Sequence, residues 1–146
     1  ITKKEFIYAT KNIPNIKFLP LQDSKDINEW LNLGDIHIVP QKRAVENLVF
    51  PSKLLGILAS GNPVISNTTS ESELGKIVEQ AGIRVDPEDK NGFIDGLNKL
   101  INNEKLRLSL GHRGREIAEN SFCKEKVLDE FNNLITHSLK TEVYYQ

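Results

Sequence analysis

Residues 51–65 carry the clearest structural signal of the chain and read PSKLLGILASGNPVI. Proline is tolerated in the first turn of a helix, so Pro51 marks a helix start, and helical apolar spacing continues through Ser60. Gly61 suits the left-handed residue that ends a helix, and Pro63 opens a short apolar run that predicts a strand. A helix that leads directly into a buried strand is typical of parallel α/β sheets.

Short apolar runs alternate with amphipathic stretches on both sides of this segment. The runs that predict strands are residues 15–19, 36–39, 63–65 and 83–85. Helical spacing covers residues 24–33, 52–60, 72–80, 91–102, 104–120 and 124–138, with Ser24 as the first N-cap. Strands separated by helices imply a parallel sheet covered on both faces. The sequence therefore predicts one α/β domain over residues 1–146 with a helical C-terminal region at about 91–138.

Composition limits the classes of function. The chain has 146 residues, of which 19 are basic and 20 acidic, and its net charge of −1 argues against nonspecific nucleic-acid binding. No apolar run approaches the roughly 18 residues that span a bilayer. The single cysteine, Cys123, excludes an internal disulfide and suggests a reducing compartment. The chain has no methionine, so we expect either a processed start or part of a longer protein.

One junction between a strand and a helix has the chemistry of an anion site. The run 36–39 leads through a polar loop, residues 41–50, to the helix start at Pro51-Ser52-Lys53. The free N–H groups and the dipole of that helix favour an anion such as a diphosphate. Ser52 adds a hydroxyl donor and Lys53 a positive charge, with Lys42 and Arg43 nearby in sequence. The alternative is that Ser52 only caps the helix and Lys53 is a solvated surface residue.

The other polar residues give weaker signals. His37 lies inside an apolar run and is predicted to be a packed, hydrogen-bonded histidine. Glu73 could contact a ligand or serve as an acidic residue in the first turn of a helix. No spacing among the three histidines and Cys123 suggests a zinc site, and no glycine-rich phosphate loop is present. No catalytic residue is assigned.

Five blocks in the same order resemble the retaining GT-B glycosyltransferases of family 4. They are residues 18–22 (FLPLQ), 34–40 (GDIHIVP), 51–65, 81–89 (AGIRVDPED) and 100–122. The resemblance is closest to the bacterial branch that makes capsular and colanic-acid-type exopolysaccharides, and it covers about residues 13–138. It implies a Rossmann-like sheet that forms the C-terminal, donor-binding half of a GT-B fold.

The function implied by this resemblance is transfer of a sugar from a nucleoside-diphosphate sugar to a growing, lipid-linked polysaccharide. The donor diphosphate would be bound by Pro51, Ser52, Lys53, Leu54, Lys42 and Arg43. The base and sugar would be bound by Leu19, Leu21, Glu46, Asn47, Val49, Phe50 and Glu73. Neither a cofactor nor a metal is expected, because the helix dipole and the basic residues would balance the diphosphate charge.

The sequence departs from the family pattern in two ways. The family's two glutamates, eight residues apart, fall here on Leu48 and Gly56, and Glu46 is displaced from the first by two residues. We therefore expect either that ribose is held differently or that the nucleotide binds weakly. The family's first strands and its N-terminal acceptor domain would precede Ile1, so we expect a truncated sheet in a fragment that is inactive alone. Its exposed edge favours a homodimer, and the resemblance implies a cytoplasmic protein, at the membrane face when its acceptor is lipid-linked.

Two other classes of function remain open at this level. A noncatalytic, flavodoxin-like interaction module would have an acidic cluster or cofactor loop after the first strand, which this sequence lacks. A sugar-nucleotide epimerase shares the two-domain architecture but needs acid–base residues in its cleft. Glu46, His37 and Glu73 are poor candidates for that role.

Overall fold

The sheet at the centre of the chain has three parallel strands. The computed structural model describes residues 3–41 and 50–142. Its strands are β1 (His37–Ile38), β2 (Val64–Asn67) and β3 (Gly82–Val85), which lie side by side in that order. His37 is aligned with Val64, and Val64 with Gly82, and both pairings are parallel. The predicted α/β class with a parallel sheet is confirmed.

Seven helices accompany the strands within the described residues. They are α1 (Lys3–Thr10), α2 (Ile27–Asn32), α3 (Lys53–Ser60), α4 (Glu73–Ala81), α5 (Lys90–Ile101), α6 (Glu104–Ser121) and α7 (Lys124–Glu142). All but α1 were predicted from the spacing of apolar residues. A 3₁₀ turn at Ser24–Asp26 precedes α2, and the prediction of its cap is wrong by one residue. Asp23 is the cap because its Oδ1 accepts from the N–H of Lys25 at 3.1 Å.

Each face of the sheet has its own apolar core, because adjacent residues of a strand point to opposite faces. Val64 packs on one face with buried residues of β1's end, α3 and α4: Val39, Leu54, Ile57, Leu58, Leu74, Val78 and Ala81. Ile65 packs on the other face with Val85, Leu100 and Leu110. Helices therefore cover both faces, as predicted, and this burial explains why the strands are continuous apolar runs.

Residues 15–19, predicted as a strand, form none in the described structure. A strand needs a neighbour for its N–H and C=O groups, and the three described strands pair only with one another. Phe18 and Leu19 are 41% and 55% exposed, and Phe18 makes an edge contact with Phe6 of α1 at a ring-centroid distance of 5.9 Å. The strand prediction is wrong here because the segment has no described strand beside it.

The end of α3 lies directly against the middle of α6. Gly61 ends α3 in the left-handed conformation with φ of 75°, as predicted. A Cβ added to Gly111 would lie 1.9 Å from the carbonyl oxygen of Gly61. Only glycine at position 111 permits this approach of the two main chains, so the contact fixes α6 against the end of α3.

Candidate functional site

The carboxyl ends of the three strands lie at one edge of the sheet, called here the carboxyl edge. Gln41 lies beyond the end of β1, Thr68 follows β2 and Asp86 follows β3. Helices α3, α4 and α5 are the next helices after these three strand ends. Ligands of open α/β sheets bind outside the carboxyl ends of the strands, where helix N-termini offer free N–H groups. The candidate site is therefore the carboxyl edge together with the start of α3.

The first turn of α3 holds the predicted anion-binding residues. Ser52 and Lys53 are exposed, whereas the side chain of Leu54 is fully buried in the core. The N–H of Leu54 donates to the carbonyl oxygen of Pro51 at 2.9 Å. Leu54 thus anchors the helix start with a buried side chain and an N–H that is already bonded to Pro51, while Ser52 and Lys53 offer exposed side chains.

Ser52 does not cap α3. Its φ and ψ of −54° and −27° are helical, and its side chain makes no capping hydrogen bond, so the capping interpretation of Ser52 is wrong. The next three helices are capped by a polar side chain that accepts from an N–H at 2.9 Å, in the pairs Ser72 with Gly75, Asp89 with Gly92 and Asn103 with Leu106. Within the described residues, the start of α3 therefore has no carboxylate, amide or hydroxyl acceptor like those of the next three helices, which favours an external anion there.

Hydroxyl groups fix the segment between β2 and α4. The Oγ1 of Thr68 and the Oγ of Ser72 are 2.8 Å apart, and both side chains are buried. The Oγ of Ser72 also donates to the carbonyl oxygen of Thr69 at 2.9 Å, in addition to capping α4. This network sets the position at which α4 begins at the carboxyl edge.

Glu73, assigned to the sugar end of the site, is the exposed first residue of α4. Its Oε1 accepts from the Nζ of Lys76 at 2.6 Å, and exposed pairs of this kind contribute little to stability. The pKa of the neighbouring Glu71 lies below its ordinary value, chiefly because the hydroxyl of Ser70 donates to its carboxylate. Glu73 is thus accessible at the carboxyl edge, and its contact with a donor stays a prediction.

Asn67 makes a contact that sequence reasoning missed. Its Oδ1 accepts from the N–H of Gln41 at 3.2 Å, and its Nδ2 donates to the carbonyl oxygen of Gln41 at 3.1 Å. The two bonds join the end of β2 to the chain that leaves β1. The available signal was a polar amide two residues after the apolar run 63–65, at the end of the strand where ligands bind.

Arg84 of β3 was also missed. Its guanidinium donates to the carbonyl oxygen of Thr68 at 3.1 Å and pairs with Glu79 and Asp86. These two carboxylates raise the pKa of Arg84 above its ordinary value, and hydrogen bonding to Asp86 has the largest effect. Arg84 therefore ties the segment after β2 to β3. An arginine within a short apolar run is a signal for such a partly buried anchor.

The remaining predicted site residues are placed as follows. Leu19 and Leu21 lie in the irregular segment before α2, 55% and 101% exposed, and neither belongs to an apolar core. Phe50 is 40% exposed and stacks on Phe122 at a ring-centroid distance of 6.3 Å. Five predicted residues lie outside the described residues: Lys42, Arg43, Glu46, Asn47 and Val49. For all of these, contact with a donor stays a prediction.

Two positions near α2 do not reach the carboxyl edge. A Cβ added to Gly56 would lie 3.2 Å from the Cδ1 of Leu31, so position 56 faces α2. The Nε2 of His37 lies 3.0 Å from the carbonyl oxygen of Leu31, which confirms the prediction of a packed, hydrogen-bonded histidine. Burial lowers the pKa of His37 below its ordinary value, which favours the neutral imidazole.

Comparison with known proteins identifies the family. Residues 2–117 match the family described as Glycosyl transferases group 1. The chain belongs to the group 1 glycosyl transferases. The matched residues include all three strands and the uncapped start of α3. The resemblance to glycosyltransferases drawn from the five sequence blocks is confirmed.

Two relatives of this group 1 chain are named for the biosynthesis of colanic acid and of capsular polysaccharide. It is 32% identical over 126 residues to WcaI of Escherichia coli (strain K12), named as a colanic acid biosynthesis glycosyl transferase. It is 24% identical over 141 residues to CapM of Staphylococcus aureus, a capsular polysaccharide biosynthesis glycosyltransferase. These matches cover 84% and 96% of this chain but 30% and 35% of the relatives. The chain thus spans about a third of the length of these relatives.

A solved structure shares the fold. Sucrose-phosphate synthase from Thermosynechococcus elongatus superposes with a TM-score of 0.77 at 18% sequence identity, over 94% of this chain and 34% of that one. This likeness supports the predicted Rossmann-like, GT-B-type architecture. Among the helices of residues 3–41 and 50–142, none is both long and apolar enough to cross a membrane.

Proposed function

We propose that this group 1 chain is the part of a retaining glycosyltransferase that binds a nucleoside-diphosphate sugar. The observation that carries the proposal is the start of α3 at the carboxyl edge, where Ser52 makes no cap and Lys53 is exposed. Lysine in the first turn of a helix is unfavourable toward the helix dipole. An anionic ligand that interacts with both the lysine and the N–H groups would offset this cost, which the side chain of Ser52 does not do here.

The proposed role of this helix start is to stabilise the leaving group. When the bond between the sugar and the diphosphate breaks, its electron pair goes to the phosphate oxygen and negative charge grows there. Fixed N–H groups and Lys53 offset that charge without reorganising, because buried Leu54 holds the first turn in the core. Lys42 and Arg43 would add positive charge, and the site would need neither a metal nor a cofactor.

The acceptor and the location of the reaction are proposed from the relatives. The proposed reaction moves the sugar to a hydroxyl of a growing, lipid-linked polysaccharide in the cytoplasm, at the inner face of the membrane. The acceptor would be held by a further N-terminal domain, so the single domain of residues 1–146 would bind donor without transferring it. The outer side of β1 pairs with no described strand, and Ile38 there is 51% exposed. Pairing of two copies through this edge remains part of the proposal.

Titration calorimetry with UDP, GDP and their sugars tests the donor site in the 146-residue chain and in Lys53→Glu. We expect a nucleotide to bind the parent chain and Lys53→Glu to weaken that binding by about tenfold to a hundredfold. Glutamate near a helix N-terminus stabilises the helix, so the loss of affinity would not arise from unfolding.

Lys90→Glu is the matched control. Lys90 is also the first residue of a helix that follows a strand of this sheet, but Asp89 caps that helix. We expect Lys90→Glu to change the affinity less than about twofold. Equal losses in the two variants would indicate a general charge effect, and no binding of any nucleotide by the parent chain would contradict the proposed function.

A further inference from the structure

The hydrogen bonds from β1 to β2 follow a regular step of two residues. His37 donates its N–H to the carbonyl oxygen of Pro63, and Val39 donates to that of Ile65, both at 3.0 Å. The same step of two residues predicts that Gln41 pairs with Asn67. Beyond Pro40, which has no N–H to donate, the N–H of Gln41 indeed reaches Asn67, but its acceptor is the side-chain Oδ1 at 3.2 Å.

The carboxamide of Asn67 takes the place that its main-chain carbonyl would have in the regular pairing with β1. Asn67 is aligned with Val85 of β3, and the N–H of the next residue, Thr68, donates to the carbonyl oxygen of Val85 at 2.9 Å. The carboxamide of Asn67 has the same donor and acceptor groups as a peptide unit. It therefore continues the pairing toward β1 as a substitute for main chain, with Nδ2 donating to the carbonyl oxygen of Gln41.

This arrangement fixes the peptide plane at the exit from β1. The N–H and the C=O of Gln41 belong to the two planar peptide units that flank its Cα, so holding both of them fixes the main chain at Gln41. Ser66 adds a third bond, from its buried hydroxyl to the carbonyl oxygen of Val39 at 2.6 Å. The exit from β1 is held more tightly than a strand of two residues would be alone.

We propose that Asn67 is a positioning residue for the donor: its carboxamide holds the main chain at Gln41, and so sets the geometry of the carboxyl edge, without touching the donor itself. This inference rests on the proposed donor site. The acceptor and the donor halves of the carboxamide are both required. An aspartate would keep an acceptor for the N–H of Gln41 and place a negative oxygen against its carbonyl oxygen.

Asn62 provides a matched control at the opposite end of β2. Its Nδ2 donates to the carbonyl oxygen of Leu31 at 3.4 Å, so Asn62→Asp also removes a carboxamide donor from a main-chain acceptor. We expect Asn67→Asp to weaken nucleotide binding, measured by calorimetry with UDP and GDP, by about tenfold, and Asn62→Asp by less than about twofold. An equal affinity in the parent chain and Asn67→Asp, or equal losses in both variants, would overturn the inference.

Amide hydrogen exchange gives a readout that needs no ligand. The N–H of Gln41 should be protected from exchange in the parent chain and in Asn62→Asp. It should lose protection in Asn67→Ala, which removes both the acceptor and the donor of the carboxamide. Unchanged protection in Asn67→Ala would contradict the proposed hold of the Asn67 carboxamide on Gln41. If the parent chain binds no nucleotide, the proposed function fails; if it binds and Asn67→Asp binds equally well, only the inference about Asn67 fails.

Discussion

Two apolar runs of this chain end in proline, residues 15–19 before Pro20 and residues 36–39 before Pro40, yet their environments differ sharply. Val39, the last residue of the second run, is 7% exposed and donates its N–H to Ile65. Leu19 has the equivalent place in the first run and is 55% exposed. Their local sequences favour the same conformation, and the difference is the presence of β2 beside one of them. A strand is thus a property of a pair of segments, which neither run contains by itself.

Proline at these equivalent positions gives the largest expected contrast. Val39→Pro removes the N–H that bonds to Ile65, and we expect it to lower the free energy of unfolding by about 3 kcal/mol. Leu19→Pro removes no N–H bonded to another described strand and should change that free energy by less than about 0.5 kcal/mol. Urea unfolding followed by circular dichroism measures both.

The two variants are controls for each other, because each places two prolines in succession and restricts the unfolded chain in the same way. Similar losses in both would mean that residues 15–19 are paired as firmly as residues 36–39. That result would contradict the comparison.

A smaller effect is expected from the hydroxyl that joins β2 to the end of β1. Ser66 is fully buried and donates to the carbonyl oxygen of Val39 at 2.6 Å. Ser66→Ala leaves that oxygen without this donor and should cost about 1–2 kcal/mol in urea unfolding. Ser70→Ala, at an exposed serine between β2 and α4, should cost less than about 0.5 kcal/mol. A loss in Ser66→Ala no larger than that in Ser70→Ala would show that the hydroxyl does not support the pairing.

Acid should lower the free energy of unfolding through protonation of His37. Burial lowers the pKa of His37 in the folded chain below the 6.5 of an ordinary histidine, so the unfolded chain takes up the proton first. The stability from this group is full above pH 6.5 and is lost as the pH falls from there toward the lower folded pKa. Urea unfolding from about pH 7.5 to about pH 5 should show a shallower loss in His37→Asn than in the parent chain.

His112→Asn provides the control for this pH series. His112 is exposed on α6, so this variant removes a histidine that is not packed in the fold. The assignment to His37 fails when His37→Asn and the parent chain lose stability equally over the same pH range.

The parts of the fold that the sequence could predict are those whose cause is local. Neighbouring residues determine the helical spacing of the six later helices and the apolar runs of β2 and β3. They also determine the left-handed conformation of Gly61. The helix start at Pro51 was located in the same way. The strand prediction for residues 15–19 was wrong for the opposite reason, because strand pairing depends on a segment far away in sequence.

The candidate site likewise has features with a local cause and features that depend on distant residues. The exposed position of Lys53 at a helix start could be predicted, because the proline signal and the charge lie side by side. The link from Asn67 to Gln41 spans 26 residues, and that from Arg84 to Thr68 spans 16. Such bonds depend on strand register, which one sequence does not reveal. The absence of a cap from Ser52 depends on its φ and ψ, and its residue type favours the opposite prediction.

The uncapped start of α3 has a consequence for protein engineering. A stability-design procedure would replace Ser52 with aspartate, since a negative charge in the first turn of a helix interacts favourably with the helix dipole. That carboxylate would lie close to the N–H groups where the donor diphosphate is proposed to bind, and would repel it. Thermostability gained at this position would then be lost as affinity, so selection for donor binding would keep this helix less stable than it could be.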